Sequence, residues 1–112
     1  MKARPLDCWV YFAGGQNRCN LVEHTNYKGD AVRSVTGISA DDCCVQCSTE
    51  SACNVFVYCP NSNGCNNANI GTIPYQQCDL KNLPGVSSGG PIDSWASGPD
   101  VDFMSGSVSA HS

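Results

Sequence analysis

The sequence predicts a small, disulfide-rich α+β domain, and three observations support this prediction. The chain has 112 residues, which is enough for one modest hydrophobic core. Nine of them are cysteines, a density typical of secreted scaffolds held together by disulfide bonds. One segment carries the signals of a helix start, and the segments around it are short, β-branched and separated by Gly, Asn and Ser.

The helix is predicted over residues 40–50. Ser39 precedes it, and two aspartates fill its first turn, where a hydroxyl and carboxylates stabilise the free amide groups and the positive end of the helix dipole. Cys47 follows Cys43 by four residues and Cys44 by three, so it shares a helical face with each of them. We therefore expect a cysteine-lined inner face that is bonded to neighbouring elements.

Short strands are predicted on both sides of the helix. The strongest pattern lies at residues 53–59, which are rich in β-branched and aromatic side chains. Shorter strands are predicted at residues 9–12, 78–81 and 93–98. Residues 30–35 fit either a strand or an extended loop, because their alternation is less regular.

The remaining segments have the composition of loops. Residues 60–71 are mostly Asn, Ser and Gly, and residues 84–91 are rich in Gly and Ser, so both are predicted to be surface loops. We predict a single domain over residues 1–104 and a flexible tail or linker over residues 105–112.

The charge pattern argues against nucleic acid and membranes as partners. The net charge is −4, and the six Lys and Arg residues are scattered, so they form no basic stripe that could follow a phosphate backbone. No apolar run approaches the ~20 residues that span a membrane. Residues 1–5 lack the apolar stretch of a signal peptide, so we expect the leader of an exported chain to lie outside this sequence.

The order of these motifs resembles the PAN/apple family. The likeness extends over roughly residues 8–103, and its most specific part is the cysteine frame that joins the helix to the following strand. The matching segments are residues 27–30 (YKGD), 39–47 (SADDCCVQC), 52–58 (ACNVFVY) and 78–81 (CDLK). The doubled cysteine in the helix and the Tyr-Cys-Pro at the strand end are similar to variants in plant and algal extracellular proteins.

The resemblance implies a twisted antiparallel β-sheet with one α-helix packed across it. It also implies a binding role, because family members serve as protein-binding or carbohydrate-binding modules in blood zymogens, adhesins and plant receptors. Two disulfide bonds follow from the family's frame, Cys47–Cys53 and Cys43–Cys78. The chain departs from the family's six-cysteine pattern, in which a bridge joins the two ends, since no cysteine lies beyond Cys78.

The remaining cysteines allow several pairings. We predict two local bonds for them, Cys8–Cys19 and Cys59–Cys65. Cys44 then has no partner within the chain. It is either bonded to another chain, reactive, or buried as a small apolar side chain.

Catalytic and metal-binding alternatives have less support. Cys44 and Cys47 form a C-x-x-C pair near a helix start, where a thiol is activated for redox exchange, but no βαβ pattern surrounds them. A zinc site needs a second such pair at a fixed distance. The two histidines, His24 and His111, have no partnered Ser or Asp at a recognisable spacing. We expect no catalytic residue, no metal and no cofactor.

Two aromatic residues are candidates for ligand binding. Tyr75 and Trp95 lie among predicted loops, whereas most aromatic side chains of so small a domain are needed for the core. The predicted function is that of a secreted, extracellular, non-catalytic recognition module for carbohydrate or protein. The alternative is a structural subunit of an extracellular matrix or fibre, whose partners are copies of itself.

Overall fold

A four-stranded antiparallel sheet, with one helix packed against one of its faces, forms the centre of the computed structural model. The structure describes residues 19–67, 71–84 and 92–108. The elements of these residues are, in chain order, β1 (Thr25–Tyr27), β2 (Asp30–Thr36), α1 (Ala40–Thr49), β3 (Val55–Tyr58), β4 (Cys65–Asn67), β5 (Gly71–Ile73), β6 (Gln77–Asn82), β7 (Ser94–Ser97) and β8 (Met104–Ser107). The predicted disulfide-rich α+β fold is confirmed.

The central sheet has the strand order β2, β6, β3, β8, and every neighbouring pair is antiparallel. Residues alternate between its two faces. Phe56, Tyr58 and Leu80 pack with the helix cysteines, whereas Val55 and Val57 belong to a second cluster on the opposite face. Strand β3 is therefore buried on both sides, which explains its continuous apolar sequence.

Two short antiparallel ribbons complete the described structure: β1 pairs with β7, and β4 pairs with β5. Both contribute to the second cluster, the first ribbon through Tyr27 and the second through Cys65 and Ile73. Strand β1 packs over β3 and β8. The opposite edge of the sheet, β2, is exposed along nearly its whole length.

The helix begins where the sequence predicts and ends one residue earlier. The Ser39 hydroxyl caps it by accepting a hydrogen bond from the Asp42 amide at 3.1 Å. Cys43, Cys44 and Cys47 are fully buried. The cysteine-lined face therefore packs against the sheet, as the spacing predicts.

Four disulfide bonds join the described cysteines: Cys19–Cys44, Cys43–Cys78, Cys47–Cys53 and Cys59–Cys65. The predicted bond Cys8–Cys19 and the predicted unpaired state of Cys44 are therefore wrong. The chain at Cys19 runs beside β8, where the Ser107 amide donates to Cys19 O at 2.9 Å, and this path places Cys19 in the cluster of helix cysteines. Cys8 lies outside the described residues.

The predicted tail over residues 105–112 is also wrong in its first part. Residues 104–107 form β8, and residues 105–108 are buried. Small residues are required there, because a Cβ on Gly106 would overlap the Phe56 ring and lie 2.7 Å from Cys19 O. Ser and Gly are typical of linkers. Here they instead allow three chain segments to approach closely.

The remaining segments differ in how well they were predicted. Residues 60–71 are not a plain loop, because β4 lies within them and pairs with β5. The ambiguous residues 30–35 belong to strand β2, and β7 lies within the predicted 93–98. The strand predicted at 9–12, and all but the first residue of the loop predicted at 84–91, lie outside the described residues.

Tyr58 connects the sheet to the helix start. Its side chain is buried, and its hydroxyl donates to Ile38 O at 2.6 Å, just before the helix cap. Burial raises the pKa of Tyr58 above 10.0, and the charges of Tyr75 and Asp42 act in the same direction, while a hydrogen bond with Gln76 opposes them. The phenol therefore stays protonated in the fold at a pH where it ionises in the unfolded chain.

Tyr58→Phe is expected to lower the free energy of unfolding by about 1 kcal/mol, because the Ile38 carbonyl loses its donor. In the native protein the folded state retains a proton that the unfolded chain releases, so stability falls as the pH rises above about 10. The variant should lose stability less steeply in that range. Urea unfolding at neutral and alkaline pH measures both effects, and equal alkaline slopes would contradict this account.

Replacing both Cys19 and Cys44 by Ala is expected to lower the free energy of unfolding by about 3.5 kcal/mol, because the bond spans 25 residues. The matched control replaces both Cys59 and Cys65 by Ala, and its loss is expected to be only about 2 kcal/mol because that bond spans 6 residues. Denaturant unfolding of the oxidised proteins gives the comparison. A smaller loss for the longer loop is incompatible with the pairing of Cys19.

Gly106→Ala is expected to lower the free energy of unfolding by about 3 kcal/mol, because the added methyl overlaps Phe56. The control is Gly37→Ala. Gly37 has a φ of +88°, and a Cβ added there would meet no other atom within 4 Å, so only backbone strain of about 1 kcal/mol is expected. Thermal unfolding of the two variants tests the difference, and equal losses would show that β8 is not packed against Phe56.

Candidate binding surface

Trp95 is the most exposed large apolar residue of the described segments, with 56% of its surface accessible. It lies on β7, whose pairing with β1 shifts register between Asn26 and Tyr27. The Lys28 ammonium lies over the indole, 5.2 Å from the ring centroid, and the Lys28 amide donates to Asp93 O at 3.0 Å. The ring is therefore oriented by a cation and otherwise open to solvent.

The ribbon that carries Trp95 is fixed to the sheet by hydrogen bonds. The Tyr27 amide donates to Ser105 Oγ at 3.1 Å, and Ser105 Oγ donates to Thr25 O at 2.7 Å. Lys81, on β6, donates from Nζ to Tyr27 O at 2.9 Å. Because Tyr27 and Ser105 are buried, their bonds are shielded from water and hold the ribbon in place relative to the central sheet.

A row of polar side chains lies on β6 beside this ribbon. Gln77, Asp79 and Lys81 alternate with Cys78 and Leu80, which face the helix, so the three polar side chains share the opposite face. All three are partly exposed. This row is not among the predicted site residues, although the alternation of apolar and polar residues over 77–81 is a signal of one open face.

Asp79 is held in one orientation. Its Oδ1 accepts hydrogen bonds from Ser34 Oγ at 2.7 Å and from Gln77 Nε2 at 2.9 Å, whereas Oδ2 has no hydrogen-bond partner among the described residues. Burial lowers the pKa of Lys81 below 10.5, and the charge of Asp79 partly offsets that effect. A carboxylate with a free oxygen therefore lies near an ammonium group that is partly desolvated.

The backbone between β1 and β2 joins the aromatic ribbon to the polar row. Lys28 directly follows Tyr27, the residue to which Lys81 donates. Gly29 then packs on β6 so closely that a Cβ there would lie 3.2 Å from Lys81 Cβ, and its φ of +130° also favours glycine. We call these four residues, Trp95, Lys28, Lys81 and Asp79, the polar–aromatic surface.

Tyr75 lies away from the polar–aromatic surface. It is 45% exposed and precedes the first residue of β6 by two positions. Lys28 lies near the opposite end of β6, where Asn82 pairs with Asp30. The structure therefore does not bring the two predicted ligand residues, Tyr75 and Trp95, together.

The residues considered for catalysis and metal binding are placed as follows. Cys44 and Cys47 are bonded to different partners, so they do not form the dithiol pair that redox exchange requires. His24 is exposed and its Nδ1 lies 2.9 Å from Val101 O. His111 is outside the described residues, and within these residues no cluster of three or more His, Cys, Asp or Glu could hold a metal ion.

Comparison with known proteins identifies one family. Residues 25–81, about half of the chain, match the family model of the PAN domain. No curated protein and no solved structure matches the chain. Within the described segments there is no helix with the length and apolar character needed to cross a membrane. PAN domains are modules commonly involved in protein or carbohydrate binding and are generally non-catalytic.

The matched segment contains the elements that define the observed fold. It runs from β1 through the helix and β3 into β6, and it includes three of the four disulfide bonds. The match therefore covers the helix and three of the four strands of the central sheet, whereas β8 lies beyond it. The chain belongs to the PAN domain family.

Proposed function

We propose that this protein is an extracellular, non-catalytic recognition module that binds carbohydrate or protein through the surface around Trp95. The family supports a binding role, because PAN domains commonly bind one of these two ligand classes. The disulfide bonds support an extracellular location, because such bonds persist in oxidising compartments.

The exposure of Trp95 is the observation that carries this proposal. Tyr27, Phe56, Tyr58 and Phe103 are all buried, so the fold uses these aromatic side chains for packing but leaves this indole accessible. An indole combines a large apolar face with one hydrogen-bond donor. That combination suits the C–H face of a sugar ring, and it is also the chemistry of the residues that dominate protein interfaces.

The fixed position of the indole supports recognition as well. A side chain that is already oriented loses less conformational entropy on binding than a mobile one. Lys28 lies against one side of the Trp95 ring, and the ribbon beneath is bonded to the sheet through Tyr27 and Ser105. The platform is therefore preorganised before a ligand arrives.

A structural role through self-association is the second candidate, and strand β2 is the observation that favours it. Six of its seven residues are exposed, and among the described residues no strand pairs with its outer edge. Two features weaken this candidate, because a register shift between Ala31 and Arg33 and a charge at Arg33 both discourage edge-to-edge pairing. Recognition through Trp95 is therefore the primary proposal.

Trp95→Ala is expected to lower the affinity for the ligand by at least about tenfold, because it removes the exposed face on which the ligand packs. The matched control is Tyr75→Ala, an exposed aromatic residue away from the polar–aromatic surface. Binding of the labelled protein to arrays of immobilised oligosaccharides and extracellular proteins identifies the ligand, and titration then gives the affinities.

The two proposed roles give different results in this experiment. Saturable binding by a monomer that Trp95→Ala loses and Tyr75→Ala retains supports recognition. Equal binding by both variants contradicts the role of Trp95. The absence of saturable binding, together with regular polymers on a sizing column, contradicts recognition and favours self-association.

A further inference from the structure

We propose that the polar–aromatic surface is a single extended site for a neutral oligosaccharide, with one sugar ring on Trp95 and the next ring hydrogen-bonded by Asp79 and Lys81. This inference rests on the proposed recognition function and specifies its ligand. It adds the row on β6 to a site that would otherwise consist of one indole.

The polar row on β6 has hydrogen-bonding capacity that its neighbours do not use. An ammonium group has three donors, and within the described residues Lys81 uses one of them, on Tyr27 O. Asp79 has Oδ1 occupied by Ser34 and Gln77, and its Oδ2 is free to accept. A fixed acceptor beside a fixed donor matches adjacent hydroxyl groups of a sugar, each of which both donates and accepts.

The spacing of these groups along β6 also suits a sugar chain. Residues two apart on a strand are separated by about 6.8 Å and point to the same face, so Asp79 and Lys81 present their groups side by side along β6. Lys28 then extends the surface from Lys81 to the indole. Because Trp95 lies on β7 and the polar row lies on β6, contact with both favours an oligosaccharide over a single sugar.

The charges on the polar–aromatic surface nearly balance. The surface has two ammonium groups, Lys28 and Lys81, and one carboxylate, Asp79, and the Lys28 cation is already engaged by the indole. Asp30, an exposed acidic residue, is the first residue of β2 and follows Lys28 by two positions. The chain as a whole has a net charge of −4, so an acidic polysaccharide gains no long-range attraction. A neutral sugar fits this balance.

Isothermal titration with neutral hexasaccharides of glucose, mannose and galactose tests this inference. Asp79→Ala and Lys81→Met are each expected to weaken binding by about tenfold, since each removes a charged hydrogen-bonding partner. Lys81→Met retains the length and apolar part of the side chain. Gln46→Ala, on the exposed side of the helix, is the matched control and is expected to bind normally. Melting temperatures show whether each variant is folded.

The results separate this inference from the proposed function. In one possible result, a neutral hexasaccharide binds, and Trp95→Ala abolishes the binding, but folded Asp79→Ala and Lys81→Met bind as tightly as the native protein. The row on β6 is then not part of the site, and recognition through Trp95 stands. Preference for chondroitin sulfate over all neutral probes overturns the neutral class. If no saccharide binds but an extracellular protein binds through Trp95, the inference is wrong and the broader proposal holds.

Discussion

Three cysteines within two turns of one helix determine the rest of the structure. Cys43 is bonded to β6, Cys47 to the turn before β3, and Cys44 to the segment that precedes β1. A helix of 10 residues is too short to be stable in isolation. The three bonds restrict the unfolded chain and bring the helix, the sheet and the segment beside β8 into one cluster, so a core with few large apolar side chains is sufficient.

The covalent frame also explains why the ribbon that carries the proposed binding residue Trp95 can have a fixed position although it is small. Strand β1 has only three residues, and a two-stranded ribbon is marginal in water by itself. Its stability comes from Tyr27, which packs in the second cluster, and from the hydrogen bonds to Ser105 and Lys81. Lys81 lies on β6, to which Cys43 of the helix is bonded, and Ser105 lies on β8, which pairs with β3. The position of Trp95 is therefore linked to the disulfide frame through a short chain of contacts.

The sequence predicts the parts of the fold that are governed by local physics. Ser39 and the acidic first turn define the helix start, and the β-branched run around Val55 defines the central strand. The predictions that are wrong concern the bonding partner of Cys19 and the tail from residue 105. In both places the structure depends on contacts between residues that are distant in sequence. Ser105 and Gly106 have the composition of a linker, and only the approach of Phe56 and Cys19 shows why small residues belong in a buried strand.

The same distinction applies to the proposed binding surface. Trp95 is a candidate from sequence because an aromatic residue among loops has no evident place in the core. Tyr75 satisfies the same criterion, and only the register of β6 shows that the two aromatic residues lie near opposite ends of that strand. Lys28, Lys81 and Asp79 belong to no recognisable sequence motif. Their relation to Trp95 arises only in the fold, from the packing of Gly29 on β6 and from the hydrogen bond between Lys81 and Tyr27.

Peptide mapping under non-reducing conditions tests the disulfide frame most directly. Trypsin cleaves after Arg18, Lys28, Arg33 and Lys81, so Cys19 is released on the peptide 19–28, and all three helix cysteines lie on the peptide 34–81. We expect these two peptides to be recovered as one disulfide-linked species, separate from the peptide that contains Cys8. Recovery of the peptide 19–28 bonded to the Cys8 peptide, with Cys44 alkylated as a free thiol, would contradict it.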